Sequence, residues 1–136
     1  MRLVELHRER VMLRRVSRGI KLALNLTIAT TYQALAEGYR LATAAGILPD
    51  AFFACLDINV ARSGVSDLKK PKLLACDWSP QFSVKHMHKD LRLALALAAT
   101  LGVKLKQTSE LERAYAATQA KGLGDADFSA TYETLR

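Results

Sequence analysis

Apolar residues recur every three or four positions along most of this chain, the spacing that places them on one face of a helix. The first long periodic segment is expected to form a helix from near Ser17 to Gly46, where a glycine takes the left-handed cap conformation. Its middle, LTIATTYQ, is β-branched, but the segment is far too long for one strand. Pro49 suits the first turn of a second helix running to about Arg62, with Phe52, Phe53, Leu56 and Val60 facing inward. Residues 63–83 hold Gly64, Pro71 and Pro80 and are expected to form a long loop with a short helix. A third helix follows from about Val84 to Leu101, ending at Gly102. A fourth opens on Ser109 and Glu112, spaced as a capping box, and ends before Gly122. Asp127 can cap a last short helix through Leu135.

Ala and Leu fill 43 of the 136 positions, and alternating Val/Ile/Thr runs are nearly absent. Both features point to an all-α fold. The length suits one domain, and the 50% hydrophobic content excludes a disordered chain. The longest uncharged run, between Lys21 and Glu37, is too short and too rich in threonine to span a bilayer. With two cysteines, Cys55 and Cys76, and no apolar leader at the start, the chain reads as cytoplasmic with inert thiols.

The net charge of +7 is unevenly spread. Residues 1–18 hold six arginines against Glu5 and Glu9, giving +4, while the remaining 118 residues contribute +3. These residues therefore form a basic arm ahead of a domain at 19–136. Such an arm can attract nucleic acid, but it lacks interleaved aromatics, so nucleic acid is a disfavoured partner.

Two helical faces could carry chemistry. Lys21 and Asn25 lie one turn apart and head a stripe of Ile28, Ala29, Tyr32, Leu35 and Tyr39. A lysine drawn into such a stripe loses hydration and becomes a usable acid or base; a lysine snorkelling to water beside a satisfied amide fits the same spacing. In the third helix Lys85, His88, Lys89 and Arg92 form a basic stripe opposite Met87, Leu91, Ala94, Leu95 and Ala98. That stripe suits a phosphate or carboxylate partner, or simply a solvated face. Asp90, beside Lys89, either orients that lysine or balances its charge. His86 and His88 point apart on a helix and no further ligands complete a tetrahedral set, so no metal site is expected. Trp78 is expected to pack under the long loop. Glycine-rich phosphate loops, nucleophile elbows and Walker motifs are absent.

Three ordered elements carry a resemblance: Lys21-x3-Asn25, Phe82-x6-Lys89-Asp90-Leu91, and Gly122-x-Gly124-Asp125-x-Asp127. With their surroundings, from about Gly19 to Leu135, they resemble the C-terminal helical domain of the β-hydroxyacid dehydrogenases, which include 3-hydroxyisobutyrate dehydrogenases and are related to 6-phosphogluconate dehydrogenase. The resemblance implies hydride transfer between NAD or NADP and a small 3-hydroxy acid or its aldehyde. It assigns Lys21 as the catalytic lysine, Asn25 as the substrate-binding amide and Lys89 as the cofactor-side lysine. It also implies a homodimer.

The departures carry expectations of their own. Met12, Arg15 and Ser17 stand where the family has a glycine-rich approach to its lysine, and Leu24 replaces the first of two asparagines. The Rossmann domain, with its cofactor loop, is missing from the sequence. The chain is therefore expected to be a truncated or frame-shifted product that binds no cofactor and does not turn over alone, unless a separately encoded Rossmann domain completes it. The alternative is a non-catalytic, homodimerising helical module. Substrate identity and NAD-versus-NADP preference would be decided in the missing domain.

Overall fold

The computed structural model describes all 136 residues. Helices account for the whole architecture: α1 Arg2–Ala44, α2 Pro49–Asp57, α3 Gly64–Ala75, α4 Val84–Leu101 and α5 Lys106–Ala120, closed by a 3₁₀ segment, Phe128–Thr134. The one strand-like feature is an isolated bridge between Ser83 and Asp127.

Helix α1 is 43 residues long, about 65 Å at 1.5 Å per residue. It starts fifteen residues before the expected Ser17. Met12, Arg15 and Ser17, in place of glycines, leave nothing to interrupt it, so the basic arm is the first part of α1. Residues 1–18 are all exposed. Burial begins at Leu22 and continues through Ala29, Tyr32, Ala36, Tyr39 and Ala42, steps that keep to one face. The helix stops where Gly46 adopts φ +84° and the Ile47 N–H returns to the Ala42 carbonyl at 3.0 Å.

Pro49 opens α2 as expected, but α2 ends at Asp57 rather than near Arg62. Asn59 draws the chain into a turn by accepting the Ala61 N–H at 2.9 Å, and Val60 is fully exposed instead of facing inward. The expected long loop is largely α3, twelve residues with Pro71 inside. Its start is fixed by a capping box in which Ser63 Oγ accepts from Ser66 N at 3.0 Å and Ser66 Oγ accepts from Ser63 N at 2.8 Å. Helix α4 matches its expected bounds, with Ser83 capping one end and Gly102 in the left-handed conformation at the other. Helix α5 begins at Lys106, three residues before the expected cap. Ser109 lies inside it, its hydroxyl turned back to the Leu105 carbonyl at 3.2 Å.

The core forms where α1, α4, α5 and the 3₁₀ segment meet. Tyr32 donates to the Ser129 carbonyl at 2.6 Å and meets Phe128 edge-on. Tyr39 packs against Phe52, Phe53 and Tyr132. Trp78 lies against Tyr132 and donates to Glu133 Oε1 at 2.9 Å.

Beneath this sits a buried ion pair, Lys69 Nζ to Asp127 Oδ1 at 2.9 Å. Asp127 also accepts from the backbone N–H groups of Gln81, Phe82 and Ser129 and from Ser129 Oγ. Lys69 is further held by Gln81 Oε1 and by the face of the Phe128 ring. The Asp127 cap predicted from sequence is therefore also the carboxylate that ties α3 to the chain's last segment.

Candidate functional site

Helices α1 and α4 run antiparallel: Asn25 meets Asp90, whereas the earlier residues Arg18 and Leu22 share a groove with the later Leu93, Leu97 and Leu101. This direction brings Asp90, in the second turn of α4, against the start of the buried face of α1. Asn25 Nδ2 donates to Asp90 Oδ2 at 2.7 Å, and Lys21 Nζ lies 3.8 Å from the same oxygen. Because a carboxylate only accepts, the amide nitrogen must face Asp90, which leaves Asn25 Oδ1 free to accept from a hydroxyl or an ammonium.

Asp90 is 3% exposed and Lys21 62% exposed. The carboxylate is thus buried and the lysine that faces it is largely exposed. Lys21 does not lose hydration to the apolar stripe as the spacing suggested, because the buried part of α1 starts only at Leu22. Any desolvation must come from a surface laid over this face.

Lys89 precedes Asp90 on the exposed arc of α4 and forms no ion pair. The structure thus gathers Lys21 and Asn25 about Asp90 and sets Lys89 beside them. Asp90 was missed as the organising residue. In sequence it stands beside Lys89, and only the antiparallel crossing, 65 positions back along the chain, reveals its partners.

The basic stripe of α4 divides. Lys89 and Arg92 face solvent, and Lys85 pairs with Asp125 at 2.5 Å. His88 turns under α5, where Nε2 lies 2.6 Å from Glu112 Oε1 and Nδ1 meets the Gln119 amide. His86 Nδ1 contacts Ser83 Oγ at 2.7 Å, so the two histidines serve separate neighbours.

No groove of substantial volume is lined by Lys21, Asn25, Asp90 or Lys89. The larger ones lie elsewhere, along the opposite side of α1 and beside α4. The residues present do not by themselves fit a nicotinamide dinucleotide: there is no strand–loop–helix unit to hold a pyrophosphate, and the polar face is open on one side.

The structure is thus a helical bundle that carries a lysine–amide–carboxylate group on an open face. The family model described as NAD-binding of NADP-dependent 3-hydroxyisobutyrate dehydrogenase matches residues 17–135, and the chain belongs to that family. It is 32% identical over 117 residues to glyoxylate/succinic semialdehyde reductase 1 of Arabidopsis thaliana, covering 86% of this chain and 40% of the relative. Among solved structures, the 3-hydroxyisobutyrate dehydrogenase of Mycobacterium tuberculosis with L-serine aligns with a TM-score of 0.77 at 27% identity, over 86% of this chain and 42% of that one. The Salmonella typhimurium 3-hydroxyisobutyrate dehydrogenase gives 0.80 at 24% identity, over 85% and 40%, and supports the fold. The chain thus spans about two fifths of the length of these proteins. No helix is long and apolar enough to cross a membrane.

Proposed function

We propose that these residues form the substrate-side half of the active site of an NAD(P)-dependent hydroxyacid dehydrogenase, and that turnover requires a nicotinamide-binding domain laid over the Lys21 face. The observation that carries this reading is the anchoring of both Lys21 and Asn25 by the buried carboxylate of Asp90, on a face that forms no enclosed pocket of its own. The bound nicotinamide supplies hydride exchange; the residues of this chain handle the proton and the orientation. Lys21 Nζ exchanges a proton with the substrate hydroxyl as the carbonyl forms or is reduced. Asn25 offers its second Nδ2–H to the substrate oxygen and its Oδ1 to the Lys21 ammonium, which fixes their relative direction. Asp90 neither contacts substrate nor moves a proton. It positions Asn25 and keeps Lys21 over the cleft. Lys89 supplies positive charge at the cofactor side.

The test mixes this chain with the separately expressed nicotinamide-binding domain of a family member and follows NAD(P)H formation from small 3-hydroxy acids. Activity is expected in the mixture alone, and Lys21→Met should abolish it. Turnover by this chain without the second domain, or undiminished activity with Lys21→Met, would overturn the reading.

A further inference from the structure

The amino end of α5 departs from the usual chemistry of a helix start. Its first backbone bond runs from the Ser109 N–H to the Leu105 carbonyl at 3.0 Å, so the N–H groups of Lys106, Gln107 and Thr108 have no acceptor. No side chain caps them, and the first turn holds no acidic residue. Lys104 and Lys106 stand there instead, exposed and outside any ion pair, although the positive end of a helix dipole disfavours cations. A groove of about 500 Å³ opens at this end, between α5 and residues 26–31 of α1, and no acidic residue lines it. Thr108 also lines the groove; it is 3% exposed, and its hydroxyl makes no hydrogen bond. On the facing helix Thr27 and Thr30 donate back to the Ala23 and Leu26 carbonyls, whereas Thr31 keeps a free hydroxyl. An unpaired buried hydroxyl and two cations at a helix start both cost free energy, and an anion in the groove removes both costs.

We propose that this end of α5 binds the phosphate group of a small phosphate monoester. Such a group carries close to two negative charges and three strongly accepting oxygens. The two lysines match the charge, and the free backbone N–H groups with the Thr108 and Thr31 hydroxyls match the oxygens. A carboxylate, with one charge and two oxygens, leaves part of that donor set unused. Unpaired N–H groups at a helix start suit phosphate in particular, because the dipole and the donors act on the same anion. The groove is larger than a phosphate group alone, and its remaining wall, Leu26 with Thr27 and Thr30, takes a short polar organic group. None of Lys21, Asn25, Asp90 and Lys89 lines it, and the inference is independent of the dehydrogenase reading.

The full chain is titrated with glycerol phosphate, inorganic phosphate, acetate and sodium chloride at matched ionic strength, and its backbone amides are followed in nitrogen–proton correlation spectra. Glycerol phosphate should move the Lys106, Gln107 and Thr108 amides saturably, and several-fold more tightly than inorganic phosphate, whereas acetate and chloride should not. Saturation should also raise the urea midpoint. Thr108→Val should weaken binding about tenfold without lowering the ligand-free midpoint, since its hydroxyl has no partner to lose. Lys106→Glu should raise the ligand-free midpoint, because an acid suits the helix start, and should remove the response to phosphate. If Lys106→Glu fails to fold, the unaltered chain and Thr108→Val still decide. No saturable shift at these amides, shifts confined to residues 1–18, an equal response to chloride, or an ester no tighter than inorganic phosphate would each overturn the inference.

Discussion

Asp90 shows how one buried carboxylate can set the geometry of residues from another helix. Its bond to Asn25 spans 65 positions, and removing it leaves a half-buried amide N–H without a partner. Asp90→Ala should cost about 1–3 kcal/mol in urea unfolding, and in the reconstituted enzyme it should raise KM more than it lowers kcat. Asp127 makes a second case, governed by pH. Burial alone would raise its pKa, but the donors from Ser129, Lys69 and Gln81 outweigh burial and hold it below the usual 3.8. A carboxyl depressed in the folded state contributes stability that is complete above its unfolded pKa and is lost as pH falls through the folded one. Acid unfolding should therefore steepen below about pH 3.8, and Asp127→Asn should flatten that limb. The same variant should cost roughly 3–5 kcal/mol at neutral pH, because Lys69 is left buried without its counter-charge. Burial lowers the Lys69 pKa despite Asp127, so ionisation of Lys69 opposes folding at neutral pH and relaxes only towards alkaline pH.

At the scale of elements, helix interiors were legible in the sequence and their ends often were not. The bounds of α4 could be read because Ser83 and Gly102 are both strong end signals. The start of α5 could not, because Ser109 and Glu112 have capping-box spacing yet lie inside the helix, where the Ser109 hydroxyl turns back to a carbonyl. Pro71 reads as a breaker in sequence, whereas α3 tolerates it. The basic face of α4 was legible as composition but not as surface, since the turn of His88 towards Glu112 depends on where α5 lies. Helix α3 ends on Cys76 at φ +47°, a left-handed conformation that disfavours a side chain. Cys76→Gly should therefore raise stability by about 1 kcal/mol, measurable as a higher urea midpoint with an unchanged slope.

On the scale of the whole molecule, the sequence revealed the helical class and the family because motif order survives without knowledge of packing. It gave no sign of Lys69, whose partner is 58 positions away and whose own surroundings read as a loop. It also placed the start of the first helix near Ser17, whereas the helix already runs from Arg2. Tyr32 reaches the Ser129 carbonyl across 97 positions, and Lys69 and Tyr39 likewise find partners in the last ten residues. The bundle is therefore latched by its tail. During synthesis the long helix can form early, but the latch is made only after residues 127–132 have left the ribosome. A chain ended before Asp127 should lose cooperative unfolding, as followed by near-ultraviolet circular dichroism, while keeping much of its helix. Short nonsense truncations here would thus act as folding lesions, even though they spare Lys21, Asn25, Lys89 and Asp90.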